Sequence, residues 1–230
     1  MLKLLMIQAD LATGTDTLAT GPEGISTKFI DLAFKGGWIM IPIILLSVIG
    51  VYIFFDRYFA IKRAGKFDTG LLEKVRVYIT SGKVDEAMML CRKSENPASR
   101  MLEKGISRIG RPLSDVTTAI ENVGNLEISK LEKGLPVLAS VAGGAPMLGF
   151  LGTVMGMIQA FYDMANAGNN IDVTLLSTGI YQAMVTTVAG LIVGIIAYFA
   201  YNILVSSVEK VVFKMEATTS EFMDLLNEPA

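Results

Sequence analysis

The chain has 230 residues, 52% of them hydrophobic and only 18% charged, with a mean hydropathy of +0.50; a soluble domain is neither so apolar nor so poor in charge, so the sequence reads as a membrane protein. With no histidine and a single cysteine, Cys91, it excludes Ser-His-Asp and Cys-His triads, His-ligated metals, zinc knuckles and internal disulfides. A net charge of -2 and a pI near 5.3 give no basic field for nucleic acid, and no Walker A loop or dinucleotide fingerprint is present. The expectation is a non-enzyme without catalytic residue, cofactor or metal.

The opening MLKLLMIQA has a base and a short apolar run, but Asp10 follows too soon for a signal-peptide core, so it is expected to stay in the mature protein. Residues 1–24 are rich in Thr, Gly, Asp and Ala and read as a flexible external arm. Over 25–37, Ile25, Phe29, Leu32, Ala33 and Gly36 recur at helical spacing, which predicts an interfacial amphipathic helix that turns at Gly36 and Gly37, with Trp38 at headgroup level. Transmembrane helix 1 is placed at 38–59. Its charge-free part, Gly36 to Phe55, reaches about 30 Å and just crosses a hydrocarbon core; with Pro42 and only Ser47 and Tyr52 as polar side chains, it reads as an anchor.

Residues 60–133 are expected to form a cytoplasmic helical domain. Thr69 is a candidate cap for a first helix, Ser81 and Gly82 interrupt it, and Pro97 suits the first turn of a further helix ending near Gly110. After Pro112 the apolar positions Val116, Ile120, Val123, Ile128, Leu131 and Leu135 predict one continuous helix into the membrane, with Gly124 and Gly134 as weak points. Cys91 lies in a charged helical segment, and without a basic partner it reads as structural.

Transmembrane helix 2 is placed at 134–163, a periplasmic loop at 164–172, transmembrane helix 3 at 173–205 and a cytoplasmic C-terminal helix at 206–230. The charge-free stretches here, Gly134 to Tyr162 and Val173 to Val208, reach about 44 and 54 Å, so both helices should run on beyond the bilayer. Tyr201, Val205, Val208, Val212, Met215, Thr219, Phe222 and Leu226 alternate spacings of four and three, a seam that needs a partner helix. The fold class is therefore an all-α membrane protein with three transmembrane helices, two of them long, and a cytoplasmic helical bundle. Segment Asp56 to Gly134 holds fifteen of the twenty Lys and Arg residues, the loop Asp163 to Asp172 has none, and Lys210 and Lys214 follow the third span. Basic residues stay inside, which predicts a periplasmic N-terminus and a cytoplasmic C-terminus.

Spans two and three carry the information. Span two has Pro146, Gly149, Gly152 and Gly156, with Thr153 and Ala160 on the same face as the glycines; span three has Gly179, Ala183, Thr186, Thr187, Gly190, Gly194 and Ala197. Small residues four apart let membrane helices approach closely, and their number suggests contacts between subunits, in a homo-oligomer. Ser140, Thr153, Gln159, Ser177, Thr178, Gln182, Thr186 and Thr187 add hydroxyls and amides to helices with no charge. Most such hydroxyls return to a carbonyl one turn back, but Thr153 beside the glycine stripe and Thr187 one turn before Gly190 fit a polar lining opposite a mobile partner.

The stretch AGGAPMLGFLGTVMGMIQAF, Ala142 to Phe161, resembles the A-P-x-x-G-x-x-G-T-V-x-G signature of the MotA/TolQ/ExbB proton-channel family. GIYQAMVTTVAGLIVGIIAYFAYN, Gly179 to Asn202, is similar to its third-helix signature, and KGGWIMIPI, Lys35 to Ile43, to the entry of its first span. The likeness is nearest to ExbB members. It implies an inner-membrane stator subunit of a proton-driven motor: a homopentamer in membrane lipid, enclosing two copies of an ExbD-like single-span protein with an intramembrane Asp, whose motion reaches a TonB-like periplasm-spanning protein. It further implies that Thr153 and Thr187 face the proton route. Where many members carry glutamate in the third helix, this chain has Gln182, which hydrogen-bonds but cannot titrate. Pro146, Gly149, Gly152, Gly156, Ala183, Gly190 and Gly194 would then pack helices around the pore. A TolQ-like subunit of the Tol-Pal envelope-constriction system shares this mechanism, and a passive membrane scaffold is the rival from another class. A secondary transporter fits less well, since three spans show no inverted repeat.

Overall fold

The computed structural model describes residues 36–66, 70–94, 96–166 and 173–227. Among them are seven helices and no strand: α1 Met40–Ala64, α2 Leu71–Thr80, α3 Val84–Lys93, α4 Pro97–Ile106, α5 Leu113–Glu132, α6 Leu135–Asn166 and α7 Val173–Asn227. The expected external arm, the interfacial helix as far as residue 35, the Thr69 cap and residues 167–172 of the loop lie outside the described residues. Three helical stretches are long and apolar enough to cross a membrane: α1, the stretch that ends in α6, and α7.

One expectation is corrected. The helix after Pro112 does not run unbroken into span two: α5 stops at Glu132, and α6 starts at Leu135 after a break in which Gly134 has φ +86°. An L-residue pays a steric penalty there and glycine does not, so of the two weak points Gly134 ends the helix and Gly124 does not. The apolar periodicity carries straight across the break, which is why it hides it.

The chain divides into two compact units. The first comprises residues up to Ile44 together with Met147–Leu191, and the second comprises Leu45–Pro146 together with Ile192 onward. In the second unit the core is built from large side chains: Val75, Leu102, Ile106, Val116, Ile120, Leu138, Leu204, Met215 and Phe222 are essentially inaccessible. Phe222 lies against Gly105 and Ile120; a Cβ on Gly105 would fall 2.7 Å from Phe222 Cε1 and 2.7 Å from Ile120 Cδ1, so the bare backbone of α4 makes room for the ring. The seam on α7 thus finds its partners in this chain, with Val208, Met215 and Phe222 buried and Leu204 and Val211 joining them.

Glu127 is buried between two cations, taking hydrogen bonds from Arg100 Nη1 at 2.6 Å and Lys130 Nζ at 2.7 Å. Burial by itself would raise its carboxyl, but the bonds from Lys130 and Arg100 and their charges outweigh that and hold it below the ordinary value. Cys91 is buried, and desolvation, with Glu103 adding to it, pushes the thiol up to about 11. A thiol so placed is inert at neutral pH.

Candidate functional site

In the first unit α6 and α7 meet through small residues. A Cβ on Gly149 would lie 2.9 Å from the Thr186 carbonyl oxygen, 3.1 Å from Thr187 Cα and 3.3 Å from Gly190 Cα; one on Gly156 would lie 2.9 Å from Ala183 Cβ. A Cβ on Gly152 would collide with the Thr186 side chain. The two small-residue faces therefore meet each other within one chain. Two apolar surfaces in lipid gain nothing from leaving water, so the pair depends on backbone approach and on bonds such approach permits.

One such bond is present. Thr187 Oγ1 donates to the Gly149 carbonyl at 2.9 Å across the helix pair. The adjacent Thr186, almost fully buried, donates within its own helix to Ala183 at 2.7 Å and reaches the same Gly149 carbonyl at 3.4 Å. Thr153, half-buried, turns its hydroxyl back to Phe150 at 2.6 Å. Thr187 and Thr153 are thus held differently: one hydroxyl ties two helices, the other belongs to a single helix and stays partly accessible. Gln182, half-buried, packs its amide on Gly37, whose φ of +70° makes the turn before α1. Pro146 and Gly194 belong to the second unit, where a side chain on Gly194 would collide with the proline ring and come within 3.0 Å of the Ala142 carbonyl.

Two further residues complete the polar face. Gln159 Nε2 donates to Asp163 Oδ1 at 2.8 Å, and both line a cavity of about 260 Å³ with Thr178 and Gln182. Asp163 closes the expected second span, 134–163. Since α6 continues to Asn166, it sits one turn beyond Gln159, and the i, i+4 spacing was the available signal. Thr186 was likewise visible only as one hydroxyl among several; its burial against Gly152 follows from the rotation of α7. Chemically, a hydroxyl or an amide relays a proton between waters but does not hold one. Asp163 is the one titratable group lining this cavity among the described residues, and no group of three metal-ligating side chains occurs among them.

A sequence profile of the MotA/TolQ/ExbB proton channel family matches residues 93–217, more than half of the chain, including all of α6 and α7 as far as residue 217. The chain belongs to that family. It is 29% identical over 176 residues to a protein named as an ExbB homolog in Methanothermobacter thermautotrophicus, a match covering 75% of this chain and 62% of that protein. To the biopolymer transport protein ExbB of Aquifex aeolicus it is 36% identical over 115 residues, 49% of this chain and 77% of the relative. To the Tol-Pal system protein TolQ of Haemophilus influenzae it is 34% identical over 106 residues, 46% of each chain. The match thus spans less than two thirds of the first relative's length, and the ExbB and TolQ identities are too close to separate the two branches of the family. As a member of a proton channel family with three membrane-length apolar helices, the chain is a membrane protein.

Proposed function

We propose that the chain is the pore-forming stator subunit of an ExbB-like inner-membrane motor, driven by proton-motive force, that energises TonB-dependent outer-membrane transport. The observation that carries this reading is a mismatch: α6 and α7 line their contact with hydroxyls and an amide, yet from Gly134 to Tyr162 and from Val173 to Val208 there is no Asp, Glu, Lys or Arg. A route so equipped passes protons but stores none, so the carrier comes from a partner. That partner is an ExbD-like single-span protein bearing one intramembrane aspartate. An ionised carboxylate in the membrane costs about 2.5 to 3.5 kcal/mol on insertion scales, so protonation decides whether it prefers the wet lining at Thr153, Gln182 and Thr187 or an apolar wall. Five copies of this chain enclose two of the partner, and the stroke passes to a TonB-like protein. The N-terminus is periplasmic and the C-terminus cytoplasmic, because Arg57, Lys62, Arg63 and Lys66 flank span one on one side and the Asp163 to Asp172 loop lacks a base.

The similarity to TolQ of Haemophilus influenzae favours a second reading, a Tol-Pal subunit with the same proton chemistry; the periplasmic protein that co-purifies separates the two. A passive scaffold is tested by reconstituting the chain in vesicles with and without its single-span partner under a pH gradient. Proton flux is expected only with both, to vanish when the partner's aspartate becomes asparagine, and to fall severalfold in the Thr153→Val, Thr187→Val double variant with the complex intact. Coupled flux from this chain alone, or unchanged flux in the double variant, overturns the reading.

A further inference from the structure

The second unit contains two cavities in succession between α1 and α7. The first, about 560 Å³, is bounded by Val51 and Phe55 of α1 and by Ile192, Ile196 and Phe199 of α7, with Val141 behind; it is almost wholly apolar and lies within the charge-free parts of both helices. The second, about 310 Å³, continues along the same two helices from Tyr58 and Leu204 to Gly65 and Lys214. Its character is opposite. Lys62 enters from α1 and Lys210 from α7, with Lys214 at the far end, and none of the described residues lining it is acidic. Lys62 Nζ sits 5.7 Å from the centre of the Tyr58 ring, and the nearby Asp56 is engaged by Arg57.

The change from apolar to basic falls where the chain leaves hydrocarbon. The charge-free stretch of α1 ends at Phe55 and that of α7 at Val208. Lys210 is two residues past its edge and Lys62 seven past its own, about 10 Å of helix, within reach of the headgroup layer for a long stem that extends its ammonium towards water. A ligand filling both cavities has an apolar tail, an anionic group at the membrane surface and no need of a matching cation. From this we infer that the α1–α7 groove is a binding site for one anionic phospholipid, an acyl chain against Phe55 and Ile196 and the phosphate between Lys62 and Lys210. A soluble phosphate would leave the apolar cavity unfilled. The site rests on the membrane location alone and stands or falls apart from the proton-channel role.

The test uses the full-length assembled protein in detergent and native mass spectrometry with phosphatidylglycerol and phosphatidylethanolamine of identical acyl chains. With each basic residue near the surface favouring an anionic lipid by about fivefold, Lys62 and Lys210 together should retain phosphatidylglycerol roughly twenty-five-fold more tightly. Lys62→Gln with Lys210→Gln should remove that preference, Lys62→Arg with Lys210→Arg should keep it, and Val51→Trp, at an exposed position that fills the groove, should weaken both lipids. Equal retention of the two lipids, a preference that survives the double glutamine variant, or retention untouched by Val51→Trp overturns the proposal. So does a disulfide between neighbouring copies carrying cysteine at Val51 or Ile196, because the groove is then a subunit contact.

Discussion

The α6–α7 contact and the core around α4, α5 and the end of α7 solve the packing problem in opposite ways. At the first, Gly149 and Gly156 bring backbone to within van der Waals contact of backbone, and Gly152 makes room for the Thr186 side chain. At the second, Phe222, Ile120, Leu102 and Met215 fill the space with side chains. The physical difference is the solvent. Water expels large apolar groups, and burial of each stabilises by about 1.5–3 kcal/mol; lipid does not, so helices in it gain from intimate contact and from hydrogen bonds such as Thr187 to Gly149.

The contrast can be broken first at its apolar pole. Phe222→Ala empties a fully buried site and should cost about 3–5 kcal/mol, read as a drop in the denaturant midpoint of the detergent-solubilised protein, with the circular dichroism of the membrane helices retained at low denaturant. Gly149→Ala tests the other pole. The added methyl meets backbone atoms that cannot rotate away, and overpacking of this kind costs about 1–3 kcal/mol. Gly143→Ala, on the same helix with nothing within 4 Å of the new atom, should be neutral or stabilising by up to about 1 kcal/mol. Equal thermal shifts for the two alanines would show that helix propensity, and not close approach, sets the glycine pattern.

A smaller effect sharpens the electrostatics of the side-chain core. Glu127→Gln should cost about 1 kcal/mol at pH 7, because the cations it binds are 46% and 65% exposed and can rehydrate. The carboxyl is lowered in the folded state, so its contribution is complete above the ordinary glutamate value of about 4.3 and is lost as pH falls through the lowered one. Wild type and variant should therefore differ most above about pH 4.3 and converge in acid-unfolding curves as pH falls through the lowered carboxyl value. A smaller change still is expected in Thr187→Val, about 0.6 kcal/mol, the average for an interhelical bond in a membrane protein, measured by thermal melting of the purified protein. Thr153→Val should change stability less, since its hydroxyl serves only its own helix.

Much of this was legible in the sequence. The membrane-length helices announce themselves as charge-free runs, Pro97 takes the first helical position that its missing N–H suits, and the α7 seam names residues that are buried or half-buried in the core. Other features were hidden. Apolar spacing continues through the break at Gly134, because side-chain pattern does not register a backbone reversal of one residue. The charge of Asp163 marks the end of the uncharged run but not of the helix, which continues to Asn166.

The sequence by itself determined what each segment can tolerate. A chain crossing hydrocarbon must satisfy its backbone internally, which a long uncharged helix does, so three runs without a charged residue become membrane-length helices, and the small residues within them permit close contact. It also restricted the chemistry, since a chain without histidine and without intramembrane charge cannot store a proton there. Only the tertiary structure decided which surfaces meet. Gly149 accepts from Thr187, thirty-eight residues away, and Glu127 holds Arg100 across twenty-seven. Each pairing depends on the rotation of one helix about its axis relative to another. Each residue turns a helix by about 100°, so a shift of a single position would give Gly149 a different partner while the sequence periodicity stayed the same.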